Sequence, residues 1–208
     1  MIHCRVQGHP SRNALHERIL RLLAPLQTEL FLHQSDPPNP WENYRRCLDY
    51  GGAASHLLIV QDDAIPCEGF ADAATKVAFK HPDTPVCLFV GALPASTATR
   101  IRRAKPDVRY VPLTQSSFMP LVCVLWPTHL ARAFLLWSET GARITRADDG
   151  NAARWLRSTR QQVMVTVPSL VEHDDFTPSV KGGRDHVPGA ESWRRALFLA
   201  ANGSEHDW

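Results

Sequence analysis

Four consecutive apolar residues, Leu57-Leu58-Ile59-Val60, run straight into Gln61-Asp62-Asp63 and stop at Pro66. A short apolar run bounded by breakers reads as a buried strand. Its last residues emerge at the carboxyl edge of a sheet, where open α/β sheets bind ligands. Two adjacent carboxylates at such an edge repel each other unless positive charge sits beside them. A divalent metal carrying a phosphorylated ligand is the simplest partner of that kind. The same residues also suit a plain strand-to-turn junction, where Asp is common for turn reasons alone.

The surrounding pattern decides what kind of sheet holds this strand. Ile2, Cys4 and Val6 alternate with polar residues and predict a first strand. Ser11 is placed to cap a helix with Leu15, Ile19, Leu22 and Leu23 on one face, ended by Pro25. Glu29-Leu30-Phe31-Leu32 predicts a second strand, and Trp41 to Tyr50 a helix stopped by Gly51-Gly52. The first 66 residues therefore read β-α-β-α-β, which implies a largely parallel sheet with helices outside. Further on, the pattern predicts a helix from Ala71 to Lys80, a strand at Val86–Val90 and an irregular basic excursion over 92–109. A short strand at Tyr110–Leu113, an apolar stretch from Phe118 to Leu125 and a helix from Thr128 to Trp137 follow. The last predicted elements are a helix over Asn151–Thr159 capped by Asp149, a strand at Val163–Val167 and a terminal helix around Trp193–Phe198. The expected architecture is a single α/β, Rossmann-like domain over 1–180, with a mostly parallel central sheet flanked by helices, and a tail over 181–208.

Bulk properties narrow the function classes. A hydrophobic content of 44% suits a real core, and a net charge of +2 implies no strong electrostatic partner. The five Cys residues are scattered without a CxxC pair, which favours free thiols over a disulfide framework or a zinc site. Met1-Ile2-His3-Cys4-Arg5 lacks a signal-peptide apolar region, and no run reaches the roughly 18 apolar residues of a membrane span. A cytoplasmic protein with no membrane partner is expected. GxGxxG, a Walker loop and GxSxG are all absent.

Three clusters at element junctions are candidates for chemistry: Asp62-Asp63, Asp148-Asp149 before a helix, and Glu172-His173-Asp174-Asp175 after a strand. Asp63 with His173 would make a two-point metal site, since hard cations take oxygen ligands and imidazole suits manganese or zinc, although His173 also reads as an ordinary surface or satisfied loop histidine. The loop Gln7-Gly8-His9-Pro10-Ser11-Arg12 opens a helix, so its amides and Arg12 are suited to a nucleotide phosphate. Trp41, after the proline-rich loop, is the one tryptophan expected near a ligand. Lys181 and Arg184 suit a diphosphate clamp. Capping and macrodipole effects alone also account for Asp148 and Asp149.

The order of these features resembles a GT-A glycosyltransferase. Gln61-Asp62-Asp63 is similar to a relaxed DxD motif, with Gln where the first acid usually stands. Arg146-Ala147-Asp148-Asp149 resembles the xED motif with Asp for Glu, and Val167-Pro168-Ser169-Leu170-Val171-Glu172-His173 resembles the strand that delivers a late metal-binding His. The wording around Asp62 and His173 is most similar to small glycosyltransferases of bacteriophages and bacteria; for a phage protein the compartment would be the host cytoplasm.

The resemblance implies a metal-dependent, inverting hexosyl- or pentosyltransferase. It would use a nucleoside-diphosphate sugar, expected to be a uridine diphosphate sugar, with Mn2+ or alternatively Mg2+. Residues 1–91 would form the donor-binding half and 92–180 the acceptor half. Asp63 and His173 would hold the metal and Asp149 would be the base. Asp62, Gln61, Gln7, His9, Arg12, Trp41, Lys181 and Arg184 would serve the donor. Acceptors in view are glycans, proteins and DNA with hydroxymethylated bases. The competing readings are a nucleotidyltransferase, disfavoured by the single Gly8 in the early loop, and a non-catalytic nucleotide-sugar-binding module.

Overall fold

The computed structural model describes residues 1–92, 94–113, 119–140, 143–174 and 195–208. The amino-terminal β-α-β-α-β run forms as the periodicity predicts: β1 (Ile2–Gly8), α1 (Asn13–Leu22), β2 (Gln27–Leu32), α2 (Pro40–Leu48) and β3 (His56–Gln61). Beyond it come β4 (Ala64–Pro66), α3 (Phe70–Lys80), β5 (Val86–Cys87), α4 (Ala95–Arg102), β6 (Tyr110–Pro112) and β7 (Cys123–Pro127). The series ends with α5 (Thr128–Glu139), α6 (Asp148–Thr159), β8 (Met164–Thr166) and β9 (Val171–His173).

Seven strands form the central sheet in the order β2-β1-β3-β7-β5-β8-β6. β2, β1, β3, β5 and β8 run one way, whereas β7 and β6 run against them. The sheet is therefore mixed. β7 enters antiparallel between β3 and β5, so the parallel run predicted from the first 66 residues ends at β3.

Helices cover both faces. One core layer joins β1 and β3 to α1 and α3 through Val6, Ile19, Leu58, Val60 and Val77. The other joins the same sheet to α2, α5 and α6 through Tyr44, Ile59, Trp126, Phe134 and Trp155. Leu57, Leu58, Ile59 and Val60 have no exposed surface. Full burial on both faces explains why β3 reads as a continuous apolar run rather than an alternating one. The polar residues of β1 are buried too, and each has partners. Arg5 donates to the carbonyls of Arg46, Cys47 and Asp49, and His3 and Arg5 lie 3.4 and 3.3 Å from Glu29.

Several local expectations change. His9, not Ser11, caps the turn over Pro10–Arg12, accepting from the Ser11 N–H. α4 replaces the expected irregular stretch, because Thr97, Ala98 and Ile101 give it a buried face. α6 begins at Asp148, so Asp149 lies inside its first turn and is not the cap. Residues 195–198 are not helical. They run beside the sheet, where Phe198 O accepts from Ser169 N–H and Leu197 N–H donates to Val90 O. The chain end is tied in as well, with Trp208 buried and its indole N–H donating to Gly203 O. No helix among the described residues is long and apolar enough to cross a membrane.

Candidate functional site

The site is assembled by a two-stranded ribbon that the sequence pattern does not reveal. After β3 the chain turns through Asp62-Asp63 and forms β4, which pairs antiparallel with β9. Ala64 lies opposite His173, and Asp174 N–H donates to Asp63 O at 2.7 Å. This register brings His173 Nε2 to 3.5 Å from Asp63 Oδ2. Both residues are buried, at 6% and 8% exposure. Asp63 Oδ1 and His173 Nδ1 have no hydrogen-bond partner among the described residues.

Asp62 sits differently from its neighbour. Its Oδ1 accepts from Arg12 Nη1 at 2.7 Å, and its Oδ2 accepts from the His9 N–H at 2.8 Å. His16 Nε2 lies 3.2 Å from the same Oδ2, so the Nε2–H tautomer donates there. His16 reaches this point because Gly8 has no side chain: a Cβ there would lie 2.8 Å from His16 Nε2. Asp62, expected to face a donor sugar, thus spends both oxygens on the loop and on α1. It is a hub that ties the end of β3 to the loop after β1.

Arg12 is the cation between the two acids, with the same Nη1 2.9 Å from Asp63 Oδ2. Burial works against its charge, but Asp63 and Asp62 outweigh that and hold its pKa above the ordinary arginine value. Positive neighbours are felt at His9, whose pKa is lowered first by desolvation and then by His33 and Arg12.

The remaining predicted residues divide into three groups. The Gln7 side chain turns to α2 and α6: its Nε2 donates to Pro40 O at 2.9 Å and to Asp148 Oδ2 at 3.3 Å. Asp148 is 3% exposed and, through Gln7, joins the start of α6 to the end of β1. Gln61 lies opposite Gln7 in the β1–β3 register and is half-buried. Asp149 is half-buried one residue further along α6, where its Oδ1 accepts from Gly150 N–H at 2.6 Å. Trp41 does not line the site. It is 6% exposed, with its ring 6.5 Å from Tyr44 and 5.3 Å from Phe134, so it serves packing. Lys181 and Arg184 lie outside the described residues.

His16 and Arg18 were not foreseen as site residues, and Asp148, in a candidate cluster, was given no role of its own. His16 lies four residues after Arg12, a helical spacing that was the available signal. Asp148 stands beside Asp149 in the same motif. Arg18, which pairs with Asp174 at 3.3 Å beside the metal candidates, carries no sequence signal of its role.

A divalent cation is the group the resemblance implies. Among the described residues no three His, Cys, Asp or Glu side chains form a ready metal cluster. The donors present are a buried carboxylate oxygen without a partner, on Asp63, and the imidazole of His173. Two protein donors of this chemistry fit a cation whose other ligands come from water or a bound anion, the habit of magnesium-type sites.

No family model matches the sequence, and no curated protein matches it. Among solved structures the chain is similar to the crystal structure of A197 from STIV, at 11% identity and a TM-score of 0.48, over 86% of this chain and 87% of that one. At that identity and score the likeness bears on neither family nor function.

Proposed function

We propose that this protein is a metal-dependent, inverting glycosyltransferase of the GT-A type, taking a sugar from a nucleoside-diphosphate donor, expected to be a uridine diphosphate sugar. The observation that carries this reading is the convergence of Asp63 and His173 at the carboxyl end of β3, with Asp63 Oδ1 buried and unpartnered among the described residues. Asp63 and His173 would hold Mn2+ or Mg2+. When bound, the cation neutralises charge on the departing diphosphate.

The chain's own residues do the rest. The loop Gly8–Arg12, fixed by Asp62, spends the His9, Ser11 and Arg12 amides internally and places a guanidinium beside the acid pair, a setting suited to phosphate. The Gln7–Asp148 hydrogen bond fixes the start of α6 relative to β1. Asp149, in that first turn, takes the acceptor hydroxyl proton. The acceptor oxygen then bonds to the anomeric carbon as the carbon–oxygen bond to the diphosphate breaks, with both electrons leaving on the diphosphate. A single displacement of this kind inverts the anomeric centre. The acceptor class stays among glycans, proteins and modified DNA.

Calorimetry with uridine diphosphate, with and without Mn2+, tests the reading. Metal-dependent binding that Asp63→Ala abolishes is expected. Absence of metal-dependent binding for every nucleoside diphosphate tried would sink it.

A further inference from the structure

We propose that Arg12 is a built-in counter-ion competing with a divalent cation for Asp63, so that the cation binds well only when a diphosphate enters with it. The competition stands on the geometry alone. Only its diphosphate half rests on the donor reading above.

One guanidinium nitrogen spans both carboxylates, at 2.7 Å from Asp62 and 2.9 Å from Asp63. The two contacts are not equivalent. The Asp62 carboxylate is fixed by the His9 N–H and by His16 as well as by Arg12. Besides Arg12, the Asp63 carboxylate has only His173 beside it among the described residues, at 3.5 Å, and its second oxygen has no partner among them. Asp63 is therefore the half that exchanges, while Asp62 keeps Arg12 in the site. Arg12 cannot step aside by losing its proton, because guanidinium stays charged in proteins.

The charge balance makes the exchange conditional. Counting carboxylates and guanidinium alone among the described residues, Asp62 and Asp63 carry two negative charges and Arg12 one positive. The adjacent Asp174 is matched by Arg18. A divalent cation added to Asp63 turns a surplus negative charge into a surplus positive one, next to a guanidinium that remains on Asp62. Like charges repel strongly where burial limits screening. A diphosphate reverses the sign again and offers the released face of Arg12 a new anion.

Titration of the full-length protein with Mn2+, by calorimetry and by electron paramagnetic resonance of the free ion, reads this directly. Without nucleotide, R12Q should bind Mn2+ at least about tenfold more tightly than wild type, whereas R12K, which keeps the charge, should stay near wild type. Uridine diphosphate should tighten Mn2+ on the wild type by about tenfold or more, and on R12Q by much less. R12Q binding no tighter than wild type would overturn the competition, and equal wild-type affinity with and without uridine diphosphate would overturn the conditional half. Should R12Q fail to fold, R12M, which keeps the aliphatic stem and removes the charge, takes its place in each comparison. Tight Mn2+ on R12Q with no nucleotide binding anywhere would remove the donor reading and leave the competition standing. Metal-dependent nucleotide binding with an unchanged R12Q would do the reverse. No Mn2+ binding to any of the three proteins would remove both.

Discussion

Replacing Asp62 with Ala separates a structural hub from a ligand contact. The carboxylate is 4% exposed and receives the His9 N–H at 2.8 Å, Arg12 Nη1 at 2.7 Å and His16 Nε2 at 3.2 Å. Breaking a buried ion pair by removing one partner costs about 3–5 kcal/mol. Here Asp63 still holds Arg12, so the ionic part falls to about half of that, near 2 kcal/mol. The His9 amide loses a charged acceptor, worth about 1.5 kcal/mol or more. The sum is about 3–4 kcal/mol, and for a chain of this length each kcal/mol moves the melting temperature by about 2–4 °C. Asp62→Ala should therefore melt at least about 6 °C below wild type in a reversible scan without ligands. A conventional donor ligand would behave in the opposite way, losing nucleotide affinity with little change in melting. Melting within about 2 °C of wild type would refute the hub assignment.

Other outcomes follow from the same geometry. Asp149→Asn should keep nucleotide binding and lose transfer, and should cost no more than about 1 kcal/mol, since its structural contact is local to the first turn of α6; retained transfer removes it as the base. Burial lowers the pKa of His56, and burial with Lys80 lowers that of His81. Below the unfolded value of 6.5 the unfolded chain binds more protons than the folded one, so their contribution, full above 6.5, is lost as pH falls through the depressed folded values. Urea midpoints should drop between pH 7.5 and 5, and a flat profile would contradict this. Burial pushes the Cys4 and Cys47 thiols up to about 12 and raises those of Cys87, Cys123 and Cys67, but Cys67 alone is half-buried and within reach of a reagent. A disulfide reagent at pH 8 should thus label Cys67 alone before denaturation, with mass spectrometry identifying the site.

Much of the layout is legible in the residues because local signals and burial agree over the first 66 positions. The apolar run of β3 and the spacing of Ile19 and Leu23 each point to one element, whereas α2 ends at Leu48, short of the expected stop at Gly51-Gly52. Legibility ends where a choice depends on a distant partner. The direction of β7 is set by pairing with β3 and β5, and nothing in Cys123–Pro127 encodes it locally. β4 and β9 are three residues each, too short for periodicity to register. At the site, the residue types are visible but their orientation is not. Asp62 and Asp63 are neighbours in sequence, yet one turns into a ring of donors and the other leaves an oxygen without a partner among the described residues. Trp41 shows the same limit, since a tryptophan after a proline-rich loop serves packing or binding equally well until its neighbours are known.

The β4–β9 ribbon also sets when the protein becomes competent. During synthesis the β-α-β-α-β portion leaves the ribosome with both acids in place but without His173. Asp63 gains that neighbour only when β9 pairs with β4, closing a loop of about half the chain that carries β5, β6, β7 and β8. Such long-range pairing is a late step, because its closure entropy is met before any contact rewards it. A nascent or truncated chain therefore carries the acids without their histidine neighbour, and under the proposed function a cation held through both Asp63 and His173 would report that the ribbon has formed.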